Sequence, residues 1–344
     1  MDVSLWVWGV TLVALIALIV VDLIMVDSGE PREFTLRQAG AWVSFYVTLA
    51  LLFGVGVFVV AGGQYAGEFY AGYLTEYSLS VDNLFVFYVI ISRFAVPKVH
   101  QHRVLLIGIV IALLMRGLFI AVGAAAIARF EWVFFIFGAF LIWTAIGLLR
   151  SGELGEEEFK ENALLRWSRR VLPSTKDYDG AKILTRRDGR RLFTPLLIVM
   201  IAIGSTDLLF AIDSIPAVFG LTREPYLVFT VNAFALMGLR QLYFLLGGLV
   251  ERLVYLSKGL SFVLAFIGVK LVLEALHTYH VPWAPEVPIW LSLAVIAGTM
   301  AVTTVASLIK ARRQPAAARS AGSDPEDPED PASAGSRDHA DQPR

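Results

Sequence analysis

Nine apolar runs, each long enough to cross a bilayer, set the limits on what this chain can fold into. A spanning helix needs about 17 to 25 mostly apolar residues, because backbone N–H and C=O groups find no water in hydrocarbon and must bond within the segment. The runs fall at 4–26, 39–61, 70–92, 104–128, 131–149, 193–217, 226–249, 259–277 and 288–310. They predict an all-α polytopic membrane protein of about nine transmembrane helices. The composition agrees: 17% of residues are charged, against about 25% in soluble domains. The first run has no basic n-region and no small-residue cleavage site, so it is expected to stay as a helix. With no cysteine in the chain, disulfides, zinc–thiolate sites and cysteine nucleophiles are excluded.

Basic residues orient such a chain, since Lys and Arg are retained on the cytoplasmic side. If the N-terminus is outside, the cytoplasmic connections hold eighteen Lys and Arg and the external ones only Arg129 and Arg223. The C-terminus then falls in the cytoplasm. The chain divides into a transmembrane helix with its first cytoplasmic loop (1–38), a second transmembrane helix and external loop (39–69), a three-helix unit (70–149) and a basic cytoplasmic loop (150–192). A second three-helix unit (193–277), a last transmembrane helix (278–313) and an acidic Pro-rich tail (314–344) follow. The loop reads as a solvated or headgroup-facing helix, and the tail, with SDPEDPEDP at 323–331, as disordered.

The two three-helix units repeat each other. Glu76 and Asp82 lie six apart, as do Asp207 and Asp213, 131 residues later. Arg116 corresponds to Arg240 at an offset of 124, and Gly138, Leu141 and Ala145 correspond to Gly268, Leu271 and Ala275 at 130. Three helices separate each equivalent pair, so the second unit enters the membrane from the opposite side. Inverted repeats of this kind are common in secondary transporters, with the substrate site near the midplane between the halves.

Each carboxylate at a helix centre costs roughly 2.5 to 3.5 kcal/mol unless compensated. Glu76, Asp82, Asp207 and Asp213 face only Arg116 and Arg240, leaving two positive charges missing; a divalent cation or two protons would supply them. Further oxygen ligands stand beside the acids, namely Asn83, Ser78, Ser80, Thr206 and Ser214, with Asn232 and Asp22 as accessory candidates. Oxygen ligands suit Mg²⁺, Ca²⁺ and Mn²⁺. A network of paired and protonated groups without any ligand is the alternative. Six residues turn a helix by about 600°, so Glu76 and Asp82 point about 120° apart on a regular helix. A break at Ser78–Ser80 would bring them onto one face, and Pro216 is expected to end the sixth span. Lys270 and Glu274, four apart in the eighth span, are expected to neutralise each other or to act in charge balance or gating.

The stretches EYSLSVDNLFVF (76–87), STDLLFAIDSIPAVF (205–219), NAFALMGLRQLYFLL (232–246) and IGVKLVLEALH (267–277) resemble the TerC family of bacterial integral membrane proteins, which includes Alx-type proteins and is related to LysE-type exporters. The resemblance covers roughly residues 40 to 310. It implies export of Mn²⁺ or a related divalent cation, with Glu76, Asp82, Asn83, Asp207 and Asp213 handling the ion and the bacterial inner membrane as the location. A pocket of carboxylates would repel a tellurite dianion, despite the family's association with tellurium resistance.

The expected function is therefore a secondary transporter exporting a divalent cation, Mn²⁺ foremost, in exchange for protons. No enzymatic activity, prosthetic group or nucleic-acid partner is expected, and the chain contains no GxxxxGK[ST] phosphate loop. A membrane scaffold of a tellurium or stress-resistance complex, recruiting cytoplasmic stress-response proteins through the 150–192 loop and the tail, is the alternative. An intramembrane aspartyl protease lacks its GxGD motif here.

Overall fold

The computed structural model describes residues 3–27, 36–130, 132–150, 182–187, 190–246, 255–281 and 283–320, with isolated positions at 175, 178 and 180. Ten helices and one hairpin form the described chain: α1 (Leu5–Asp27), α2 (Leu36–Ala61), α3 (Gly63–Arg93), α4 (Lys98–Arg129), α5 (Val133–Arg150), β1 (Leu184–Arg187), β2 (Arg190–Phe193), α6 (Pro195–Phe219), α7 (Pro225–Met237), α8 (Leu239–Leu246), α9 (Leu256–Thr278) and α10 (Ile289–Ser320). Eight helices are long and apolar enough to cross a membrane when α7 and α8 are taken as one span, and α1 adds a shorter apolar stretch over Leu5–Val21.

Helix burial sorts the bundle into centre and rim. The α7–α8 span is almost wholly enclosed, whereas α2 and α10 are mostly open to the surroundings. Their open faces are apolar, as are those of α4 and α5: Val60, Leu114, Trp143 and Val302 point outward. That surface is stable against lipid tails and would not be in water. Inside, Phe69, Val231 and Phe234 join α3 to α7, Leu105, Leu196 and Ile203 join α4 to α6, and Leu141, Leu264 and Ile267 join α5 to α9.

Two expectations about helix breaks are corrected, and a break appears elsewhere. α3 runs without interruption through Ser78–Ser80. Thr75 bonds back to the Ala71 carbonyl (2.9 Å) and Ser78 to that of Leu74 (2.7 Å), so these two hydroxyls are satisfied without opening the helix. α6 likewise passes through Pro216 and ends only at Gly220, whose N–H donates to the Pro216 carbonyl (2.9 Å). A proline deletes one donor, and near the end of a helix the remaining turn still closes. The break falls in the seventh span, at Gly238 between α7 and α8. Glycine holds a helix together less well than any residue but proline.

Differences also appear outside the membrane core. Most of the 150–192 loop, and with it the expected loop helix, lies outside the described residues, but its end forms an antiparallel hairpin pairing Leu184 with Phe193 and Arg187 with Arg190. The Asp188-Gly189 dipeptide between these strands is a favoured two-residue hairpin sequence. α10 continues to Ser320, past the expected start of the tail at 314. The rest of the tail, 321–344, lies outside the described residues.

One seam is closer than any other pattern would require. A Cβ on Gly138 would sit 2.8 Å from the Gly268 carbonyl oxygen, and a Cβ on Gly268 would sit 2.9 Å from that of Gly138. Small residues let membrane helices approach to backbone contact, where dispersion rather than hydrophobicity holds them. Gly138→Ala and Gly268→Ala should therefore each destabilise the protein by overpacking, about 1–3 kcal/mol. Thermal unfolding in detergent is expected to show similar drops for both, and none for Gly298→Ala, where nothing lies within 4 Å of the added carbon.

Candidate functional site

Arg116 stands in the middle of α4, 1% exposed, so its charge is cut off from bulk solvent. Its guanidinium grips Asp207 of α6 with two parallel bonds, Nε to Oδ2 and Nη2 to Oδ1, both 3.2 Å. Nη1 donates to Glu76 of α3, to Ser214 of α6 (3.2 Å) and to Asn232 of α7 (2.8 Å). The bidentate fork fits a planar carboxylate, which a lysine could not match. Asn232 is held for its part: its Nδ2 donates to the Val228 carbonyl (2.8 Å), which turns Oδ1 toward Arg116.

Two carboxylates thus share one guanidinium in the buried interior. Glu76 is fully buried, and its Oε2 has no hydrogen-bond partner among the described residues. Native interiors rarely leave such an atom unpaired, because the desolvation of a charged group is not recovered. With both acids ionised the cluster has a net charge of −1, and Asp213, half-buried one residue before Ser214, adds another nearby. The arrangement thus carries an excess of negative charge when both acids are ionised.

The other residues singled out in the sequence are distributed around this centre. Asp82 points to a different side of α3 from Glu76, as the unbroken helix dictates, and accepts a hydrogen bond from Ser257 of α9 (3.0 Å). Asn83 is buried on the Glu76 face. Ser80, also buried, has an Oγ without a partner among the described residues. Thr206 is buried beside Asp207, and Arg240 is buried on α8. Asp22 lies within α1, but its side chain is outside the described residues. The five expected metal-handling residues therefore do not form one cluster: Glu76 and Asp207 meet at Arg116 and Asp82 bonds elsewhere. Among the described residues no group of three or more acidic or histidine side chains is arranged to hold a metal.

A second polar group, at the α3 and α6 ends, was not foreseen. Glu68, buried, accepts bonds from Thr222 (2.6 Å) and Gln64 (3.2 Å). Nearby, Glu274 bonds Arg223 at 2.9 Å rather than Lys270, correcting the expected i, i+4 pair, while Arg223 also stacks on the Phe134 ring at 4.6 Å. Lys270 is buried beside them. The signal for Glu68 was its place just before residue 70, since α3 starts at Gly63 and places Glu68 inside the helix.

Comparison with known proteins settles the class. The model of the TerC family of integral membrane proteins matches residues 61–315. The chain belongs to the TerC family. An uncharacterized membrane protein of Mycobacterium tuberculosis strain H37Rv is 47% identical over 323 residues, covering 91% of this chain and 81% of the relative. One from Myxococcus xanthus is 43% identical, covering 90% and 93%. Alx of Escherichia coli K12, named as a candidate membrane-bound redox modulator, is 37% identical, covering 87% and 92%. No solved structure matches this TerC-family chain. It is a multi-pass membrane protein.

Removing Arg116 from this TerC-family site strands two buried carboxylates. Arg116→Ala is expected to cost about 3–5 kcal/mol, the range for breaking a buried ion pair. Adding Glu76→Gln and Asp207→Asn to the same chain should recover part of that loss. Thermal unfolding of the single and triple variants checks it; a triple variant no more stable than the single one would show that charge is not what holds these groups.

Proposed function

We propose that the protein is a secondary transporter that moves a divalent cation, Mn²⁺ foremost, out of the bacterial cytoplasm across the inner membrane in exchange for protons. In this reading the N-terminus is outside and the C-terminus cytoplasmic, following the distribution of Lys and Arg. The observation that carries it is the excess of carboxylate over guanidinium around the buried Arg116, with Glu76 Oε2 unpartnered among the described residues. An intramembrane ionisable cluster of this kind marks an ion or proton pathway. Oxygen ligands suit a hard divalent cation, and the same carboxylates can bind protons when the metal is absent, so exchange needs no second site.

The broken α7–α8 span also supports transport. Interrupted helices in transporters expose backbone ends and pivot points beside the substrate. A redox role like the one in the name of Alx would need, in this chain, an electron carrier other than a thiol, since there is no cysteine. Proteoliposomes loaded with a Mn²⁺-sensitive dye test the proposal. Glu76→Gln, Asp82→Asn, Asp207→Asn and Asp213→Asn are each expected to lower proton-driven Mn²⁺ flux at least about tenfold, as loss of a ligand contact worth about 1.4 kcal/mol or more would. Flux unchanged in Asp82→Asn and Asp213→Asn would remove those two from the site, and absence of flux in the parent protein would overturn the proposal.

A further inference from the structure

One stripe of α3 is polar through the middle of the bundle and aromatic at both ends. Phe69, Tyr73, Glu76, Ser80, Asn83 and Phe87 follow one another at alternating steps of four and three residues, which places them on one face of the unbroken helix. All six are buried. From Tyr73 to Asn83 the stripe rises about 15 Å, half the hydrocarbon core of a bilayer. Tyr73 Oη, Glu76 Oε2 and Ser80 Oγ each lack a hydrogen-bond partner among the described residues. Thr75 and Ser78, on other sides of the same helix, are satisfied by carbonyls one turn back, so on α3 the unpaired oxygens mark a face. Ser292 Oγ of α10 is a further such atom, off this helix.

A buried oxygen without a protein partner is costly unless water or a cation meets it. Three of them in file over two turns describe a run of water or ion positions rather than an isolated defect. Phenol, carboxylate, hydroxyl and amide oxygens are also what a hard cation takes in exchange for its hydration shell. The ends of the stripe are closed by rings. Phe69 stands edge-on to Phe234 of α7, centroids 6.2 Å apart, and tilts against Phe53 of α2 at 5.1 Å, while Phe87 tilts against Phe210 of α6 at 6.4 Å. A hydrophobic constriction of this kind excludes water until it widens. We propose that this stripe is the path of protons and cation through the protein, closed by Phe69 toward the outside and by Phe87 toward the cytoplasm. The two sides follow the orientation given above. Glu76, between the closures, is where the path meets Arg116. The inference rests on the transport reading for its cargo, but the wetting of the stripe is measured without cargo.

Because the chain has no cysteine, single introduced thiols report the wetting. Tyr73→Cys, Ser80→Cys and Asn83→Cys place a thiol on the stripe; Ala71→Cys and Thr75→Cys replace buried residues on the far side of α3. The probe is Ag⁺ in nitrate buffer, and the thiol left free is counted by mass after maleimide labelling of the unfolded protein. Since a thiol reacts only where the probe has access, reaction at 73, 80 and 83 is expected to be at least about tenfold faster than at 71 and 75. Phe69→Ala and Phe87→Ala should each speed the reaction of Ser80→Cys severalfold. Equal rates on the two sides of α3, or stripe rates that neither phenylalanine variant raises, overturn the proposal. Should Tyr73→Cys fail to fold, the nearly isosteric Ser80→Cys carries the comparison, and Tyr73→Phe, which removes only the hydroxyl, should lower Mn²⁺ flux severalfold. Fast reaction on the stripe in a protein without Mn²⁺ flux would overturn the cargo and leave the path standing. Mn²⁺ flux with no faster reaction on the stripe would overturn the path and leave transport standing.

Discussion

The guanidinium of Arg116 is the constraint to which the bundle conforms. Its five N–H donors fix the positions of α3, α6 and α7 relative to α4, because each supplies an acceptor that must reach a rigid planar group. Apolar packing alone would tolerate these helices sliding past one another, since lipid is as good a neighbour as leucine. A buried ion cluster adds little net stability over well-packed hydrocarbon, but it penalises every arrangement that separates its members. In this protein it selects one registry of four helices out of many.

Around that centre, the polar side chains of the membrane interior are resolved locally. Thr75, Ser78 and Thr230 return their hydroxyls to carbonyls one turn earlier, and Ser261 does the same at three residues. Such bonds cost nothing in hydrocarbon and leave the helix surface free to pack. Glu76 and Ser80, one turn apart on one face of α3, each carry an oxygen that no described neighbour satisfies, as do Tyr73 of the same helix and Ser292 of α10. Those on Glu76 and Ser80 line the helix face that carries the ion cluster.

Hydropathy made the helices legible because length and apolarity are local properties. The spacing of Glu76, Asp82, Asp207 and Asp213 pointed to the right helices, and the 120° separation of Glu76 from Asp82 on a regular helix matches their different partners. What sequence could not supply is which charges meet. Arg116 and Arg240 look alike along the chain, yet only coordinates show one of them on the Glu76–Asp207 pair. Glu274 has Lys270 four residues away and still bonds Arg223, because the end of α6 brings a guanidinium to it from another direction. The break also went to Gly238 rather than to the serines or Pro216: a hydroxyl can be absorbed by its own helix and a terminal proline loses one bond, whereas glycine has the weakest helical preference of any residue but proline.

The same electrostatics ties occupancy to shape. A carboxylate bonded in a fork to a guanidinium has its lone pairs directed at that partner, so Asp207 cannot fully ligate a cation while Arg116 holds it. A cation therefore competes with the arginine for the same oxygens, and a proton that neutralises Glu76 or Asp207 weakens the grip of Arg116 as well. Both events remove what fixes α4 against α3 and α6. On the transport reading, charge binding and helix registry are therefore linked, and an ion that prefers one registry over another shifts the population by its differential affinity.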